Sequence, residues 1–266
     1  MRKGLHRHRK GSLRMDQWNM WKDYLRDTFS ITLTPGAEQQ FTLLLTQLKE
    51  WNEKFNLVSF KSDEELLWRH FADSLAGLSV IKKLPPANDT AAIPSPVIDI
   101  GTGAGFPGIP VKLACPGIAL TLVESITKKC TFLEHIRAQT DIDFTILNDR
   151  LETIGQDRAH REQYAFVLSR AVAKLIPNLE FALPLAAVGG YVLLYKTEQS
   201  IMGAEDIKTA YKTMSLLGGR HEDTFFYDLP DAAGQIKKYC IVIIKKLTPT
   251  PPLYPRRVGV PEKNPL

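Results

Sequence analysis

The stretch from Val97 to Pro110, reading Val-Ile-Asp-Ile-Gly-Thr-Gly-Ala-Gly-Phe-Pro-Gly-Ile-Pro, constrains this chain more than any other. An apolar run that ends beside an acid and then meets alternating glycines describes a buried strand turning sharply into a helix. Gly103, Gly105 and Gly108 fit the spacing of a dinucleotide fingerprint, in which the backbone approaches a pyrophosphate lying on a helix N-terminus. Asp99 argues for a different ligand. A carboxylate at the strand tip repels a pyrophosphate but attracts an ammonium group. S-adenosylmethionine carries that ammonium together with a sulfonium. A tight turn without a ligand is the plainer reading, but it has no need of three alternating glycines and their entropy cost.

The 266 residues, 44% hydrophobic, suffice for one sizeable core and a smaller appended subdomain. Cys115, Cys130 and Cys240 stand far apart with no C-x-x-C pair, so neither a disulfide framework nor a metal site is expected, and a reducing cytosol fits. There is no apolar run of about 18 residues and no apolar signal-peptide core, which predicts a soluble, cytoplasmic protein with no membrane partner.

The net charge of +5 is concentrated at one end. Residues 1–14 hold Arg2, Lys3, Arg7, Arg9, Lys10 and Arg14 with no acid, and removing those six from 34 leaves 28 basic against 29 acidic residues. An RNA surface on the body must therefore be a local patch. The basic run itself reads as a disordered solvated tail, or as a stretch upstream of a true start at Met15, rather than as an RNA-binding arm.

From Met15 onward the pattern is helical, with Phe41, Leu44, Leu45, Leu48, Trp51 and Phe55 on one face. A further helix is predicted from Ser62-Asp63, which supply N-cap chemistry, through Leu66, Leu67, His70, Phe71 and Leu75. Prolines between Leu84 and Pro96 mark a linker. Strands are predicted at Val97–Ile100, Ala119–Val123, Phe144–Leu147, Ala165–Leu168 and Tyr191–Tyr195, alternating with helices. After a helix near Asp206–Leu217 follow strand-like runs at Asp223–Tyr227 and Tyr239–Lys245. Five parallel strands and a closing hairpin predict an α/β fold, a Rossmann-like seven-stranded S-adenosylmethionine-dependent methyltransferase sheet with an N-terminal helical extension. The organisation expected is a tail (1–14), a helical subdomain and linker (15–94), a methyltransferase domain (95–248) and a proline-rich tail (249–266), extended against the body or disordered.

Glu124 ends the second strand 21 positions after Gly103, where a carboxylate can accept hydrogen bonds from both ribose hydroxyls of an adenosine; an acid there can equally cap the helix that Ser125 begins. Removing either Asp99 or Glu124 is expected to weaken the cofactor without unfolding the chain. Asn148-Asp149-Arg150-Leu151-Glu152 follows the third strand, where an adenine edge would lie. Arg170 follows the fourth strand, pointing into the cleft. The chain lacks the Asp/Asn-Pro-Pro-aromatic run of adenine amino-group methyltransferases, and Cys115 looks like packing rather than a nucleophile. A target that needs neither base nor nucleophile remains, and guanine N7 qualifies, with an in-plane lone pair and no proton. Arg170 and Lys196 would hold O6 or phosphate. A nicotinamide-dependent oxidoreductase and a non-catalytic RNA-binding assembly factor are the competing readings.

Trp51-Asn52-Glu53-Lys54-Phe55-Asn56-Leu57, Arg69-His70-Phe71-Ala72-Asp73-Ser74-Leu75, the glycine run, Ser169-Arg170-Ala171 and Tyr254-Pro255-Arg256-Arg257 together resemble the small-subunit ribosomal RNA methyltransferase G family, also called glucose-inhibited division protein B. The resemblance covers nearly the whole chain from Met15 and implies methylation of N7 of one guanine in the decoding region of 16S ribosomal RNA. It implies cofactor contacts at Gly101, Phe106, Leu151, Glu152 and Arg170, beside Asp99, Gly103, Gly105, Glu124 and Ser125. It also places His70 and Asp73 near the cleft. Arg170, Lys196, His70 and Asp73 are thus the candidate catalytic residues, and Arg150, Lys196, Arg256 and Arg257 the candidate RNA contacts. The partner implied is 16S RNA within the small ribosomal subunit, and no metal is expected. Thr197 stands where the family has glycine.

Overall fold

A computed structural model describes residues 14–84, 96–231 and 233–266. The basic run of residues 1–14, apart from Arg14, and most of the proline-rich linker lie outside the described residues.

The N-terminal part is α1 (Met15–Phe29), α2 (Pro35–Phe55), α3 (Asp63–Glu65), a π-helical stretch Leu66–Ala72 and α4 (Asp73–Ile81). Thr34 caps α2 by accepting from the Ala37 N–H, with Pro35 in the first turn, where its missing N–H costs nothing. Ser62 caps α3 through the Glu65 N–H, as its sequence suggests. Phe41, Leu44 and Leu48 of the predicted stripe are buried, while Phe55 is 38% exposed because α2 outruns the body it packs against.

The remainder alternates: β1 (Val97–Ile100), α5 (Gly108–Ala114), β2 (Leu120–Val123), α6 (Thr127–Gln139), β3 (Thr145–Leu147), α7 (Leu151–Gln156), β4 (Tyr164–Arg170), α8 (Leu175–Ala182) and β5 (Ala186–Thr197). Then come α9 (Glu198–Ile201), a 3-10 turn (Ile207–Ala210), α10 (Tyr211–Leu216), β6 (Gly219–Pro230), β7 (Ile236–Lys246) and α11 (Val260–Lys263). The order in the sheet is β3-β2-β1-β4-β5-β7-β6, parallel except for antiparallel β7, which pairs with β5 and with β6. This is the seven-stranded sheet, five parallel strands closed by a hairpin, that the sequence predicts. The strands of the hairpin are longer than expected, since Gly219–Arg220 and Ile236–Lys238 pair although their side chains are polar or exposed. The predicted helix at 206–217 divides into a 3-10 turn and α10, and the Asp206 side chain caps the start of the 3-10 turn by accepting from the Lys208 N–H.

Two apolar layers cover the sheet. One holds α5 and α6 together with the N-terminal helices, through the aromatic chain Trp21, Phe41, Phe71 and Phe106. The other holds α8 and α10. The helical extension is therefore continuous with the sheet's own core. Its π-helical turn widens the spiral by one residue, a feature common at functional sites, and it carries Arg69 and His70. The chain reverses between β1 and β4, whose carboxyl ends lie side by side with Ile100 opposite Ser169. Ligands of open α/β sheets bind at such a switch point.

Candidate active site

The glycine turn leaves β1 with Gly101 at φ +62° and Gly105 at φ +90°. A Cβ at Gly101 would come within 2.7 Å of Val172, and one at Gly105 within 2.3 Å of Ile109, so backbone angle and space both demand glycine there. Asp99 organises this turn. It is fully buried, and its Oδ2 accepts from the Thr102 hydroxyl at 2.5 Å and the Gly108 N–H at 2.8 Å. Burial pushes its carboxyl up to about 7, against the opposing pull of these two donors. Asp99 thus sits behind the turn rather than on the cavity wall, and only Oδ1, buried without a hydrogen bond, is unspent. A carboxylate built into the loop cannot be removed without loosening it, so Asp99 carries a structural role that the sequence did not show.

In front of the turn lies a cavity of about 210 Å³. It gathers the expected Gly101, Glu124, Ser125, Arg150, Leu151 and Glu152. Glu124 serves two purposes. Its Oε2 accepts from the Gly103 N–H at 3.0 Å and its Oε1 from the Ile126 N–H at 2.8 Å, so it ties the glycine turn to the start of α6 while facing the cavity. Glu152 is 3% exposed; its Oε1 accepts from the Gly259 N–H at 2.8 Å, and its Oε2 has no hydrogen-bond donor, with Arg150 Nε 3.5 Å away. Asp149 lines the cavity as well. Gly103, Gly105, Phe106 and Arg170 do not line it. Phe106 packs against His70 and Phe71 with ring centroids 5.1 and 5.9 Å apart, joining the glycine turn to the N-terminal helices.

Sequence reasoning missed Lys129, 3.8 Å from Glu124, and Ala171, Val172, Phe181 and Glu262 on the cavity wall. Ala171 carries φ +55°, a backbone state rare for a residue with a Cβ, directly after Arg170. Nothing in the chain's pattern signals Glu262, which arrives from the C-terminal tail.

A second groove, about 450 Å³, shares Ala171 and Val172 with the first cavity. Asp73, Arg170 and Lys196 line it together, as expected, with Arg69, Lys174, Tyr195, Glu205 and Tyr239 around them. Arg170 Nε stands 2.7 Å from Asp73 Oδ2, an Arg170 terminal N–H donates to the Arg69 carbonyl at 2.6 Å, and the guanidinium lies 5.9 Å from the Phe106 ring centroid. Asp73 also accepts from the Tyr227 hydroxyl at 2.5 Å. His70 lies behind Arg170. Its Nε2 faces the Ser59 carbonyl at 3.2 Å, which places the proton there and leaves Nδ1 as the acceptor toward Arg170 at 3.4 Å. Burial, then the neighbouring guanidinium, lowers its pKa to about 3, so it is neutral.

Lys196 Nζ donates to Glu205 at 2.9 Å and to the Ala173 carbonyl at 3.3 Å, so its charge is held within the groove wall. Arg256 binds Glu180, which is fully buried, through contacts of 2.7 and 2.9 Å. Its guanidinium is paired with Glu180, while Arg257 is exposed, and both border a separate cleft. Among the described residues no group of three or more His, Cys, Asp or Glu side chains is placed to hold a metal, and no helix is long and apolar enough to cross a membrane.

The family model for rRNA small subunit methyltransferase G matches residues 37–230. The chain is 39% identical over 246 residues to ribosomal RNA small subunit methyltransferase G of Symbiobacterium thermophilum, covering 90% of this chain and 94% of that one. It is 40% identical over 241 residues to the protein of the same name from Roseiflexus castenholzii, covering 90% and 96%. The chain therefore belongs to the rRNA small subunit methyltransferase G family and is a methyltransferase.

Proposed function

We propose that the enzyme methylates N7 of a guanine in the decoding region of 16S RNA, with the cofactor in the glycine-turn cavity and the target base in the adjoining groove. The observation that carries this reading is the shared wall at Ala171 and Val172, which brings the two compartments together at the tips of β1 and β4.

The cavity residues fit S-adenosylmethionine. Four carboxylates, Glu124, Asp149, Glu152 and Glu262, face it against two cations, Lys129 and Arg150. Such a surface suits a cationic ligand and disfavours the pyrophosphate of a nicotinamide dinucleotide. Glu152 Oε2, which has no hydrogen-bond donor within the protein, can accept from an amino or hydroxyl group. When bound, the cofactor supplies an electrophilic methyl group on sulfur.

The groove offers alignment rather than proton transfer. Asp73 is engaged by Arg170 and Tyr227, His70 by Ser59 and Arg170, and Glu205 by Lys196 and Ser200. The pKa values of Tyr195 and Tyr227 lie well above their ordinary value because both are buried. The three cysteines are buried, and burial raises all of their thiols, Cys240 up to about 12, so none is a ready nucleophile. An acceptor nitrogen that has no proton to lose matches this set. Holding it in line with the methyl group can contribute roughly 7 to 11 kcal/mol. Arg170 keeps part of its five-donor guanidinium for O6 or a phosphate.

The test is to map methylated positions in ribosomal RNA from cells with and without this protein, and to follow labelled methyl transfer to isolated small subunits. A single N7-methylguanine in the decoding region that vanishes with the protein is expected. Label at an adenine or at cytosine C5 would refute the reading.

A further inference from the structure

The C-terminal segment is pinned at separate points. Arg161 donates to the carbonyls of Thr250 and Tyr254, each at 2.7 Å, and Gln156 Nε2 to that of Pro255 at 2.7 Å. Arg256 clasps the buried Glu180 and also donates to the Asn264 carbonyl at 2.9 Å. Pro255 seats so tightly on α7 that a Cβ at Gly155 would meet it at 2.7 Å. Three anchors on a segment with little core of its own fix where its next residues go. Those residues go to the cofactor cavity. Gly259, at φ +79°, aims its N–H at Glu152 Oε1, and Glu262 joins the cavity wall.

The geometry points to the strap Tyr254–Asn264 as a wall of the cofactor site, in which Gly259 positions Glu152 and Glu262 contacts the bound nucleoside. This rests on the cavity being the S-adenosylmethionine site. A carboxylate with one oxygen held by a fixed N–H cannot rotate away, so its second oxygen presents a single acceptor direction to the ligand. Glu262 adds an acceptor from the opposite end of the chain. Both select for donor groups, the amino and hydroxyl groups of a nucleoside, and neither lines the Arg170 groove proposed for the base.

The inference separates cofactor affinity from RNA affinity. The full-length enzyme, Glu262→Gln and a chain ending at Val258 are compared by calorimetry with S-adenosylmethionine and S-adenosylhomocysteine, by binding to small subunits, and by melting without ligand. The shortened chain should lose cofactor affinity by tenfold or more and Glu262→Gln by about threefold, with the KM for the donor rising, kcat largely kept, and RNA affinity unchanged. Should the shortened chain fail to fold, the Glu262→Gln variant and Gly259→Ala, which keeps the N–H but strains the turn, decide the matter. Unchanged cofactor affinity in the folded variants overturns the inference, as does a parallel fall in RNA affinity, which would mark a general loosening. If the unaltered protein binds neither cofactor form, the cavity reading itself falls.

Discussion

Arg170 at the end of β4 and Asp73 at the start of α4 meet with Nε and Oδ2 2.7 Å apart, and this pair locks the helical extension to the rim of the target groove. The contact joins packing to chemistry: the same guanidinium that anchors α4 faces the groove.

Arg170→Lys should therefore fail twice. A lysine head cannot satisfy the Asp73 carboxylate and the Arg69 carbonyl together, and Asp73, 3% exposed, would be left partly uncompensated. Stability should fall by up to about 3 to 5 kcal/mol, the range for a broken buried pair. Single-turnover methyl transfer, measured at a temperature where both proteins are folded, should fall about a hundredfold from misplacement of the reacting groups. A near wild-type rate would refute Arg170's role in alignment.

Two buried groups oppose each other in pH dependence. His70 is lowered from 6.5 to about 3, so between these values the unfolded chain binds a proton that the folded one does not, and stability falls as pH falls. Asp99 is raised from 3.8 to about 7, so over that window the folded chain holds the extra proton and stability falls as pH rises. Between roughly pH 4 and 6.5 the two slopes, each about 1.4 kcal/mol per pH unit, cancel. In denaturant titrations His70→Asn should make stability fall with rising pH there, and Asp99→Asn should make it rise. Two unchanged slopes would show that neither group titrates as argued.

Asp99→Ala strips the Thr102 hydroxyl and the Gly108 N–H of their acceptor inside the core. A loss of about 2 to 4 kcal/mol is expected, alongside weaker cofactor binding, since each orphaned donor costs about 1 to 3 kcal/mol. Urea melts check the first effect and calorimetry the second.

Lys174 lines the groove and is exposed, unlike Lys196, whose ammonium is held by Glu205. Lys174→Ala should weaken binding to small subunits and reduce the slope of log affinity against log salt by about one, the mark of one lost phosphate contact. Cofactor affinity should not change. A slope identical to that of the unaltered protein would remove Lys174 from the RNA surface.

Iodoacetamide applied to the folded enzyme should leave methyl transfer intact, because all three thiols are buried and held in the protonated form. Rapid inactivation would instead implicate a cysteine in turnover.

The sheet was legible because its strands are short apolar runs separated by helix-length segments, and because only a glycine-rich turn fits after Ile100. Glu124, Leu151 and Glu152 could be placed near a cofactor from their distance beyond each strand. What sequence could not supply was partnership over long separations. Lys196 and Arg256 read as free cations in the sequence, and only the fold places Glu205 and Glu180 beside them. Glu262 lies far along the chain from every strand tip at the cavity, the nearest in sequence being that of β4, and no local pattern carries it there. The π-helical turn at Leu66–Ala72 also escapes, since its widened spiral hides inside an ordinary amphipathic pattern.

The left-handed Ala171 and its neighbour Val172 stand in the walls of both cavity and groove, so the two compartments adjoin at this turn. On the proposed assignment, donor and target base are held at once in adjoining compartments. Initial-rate kinetics with small subunits should then be sequential, with intersecting double-reciprocal lines, and parallel lines would refute it.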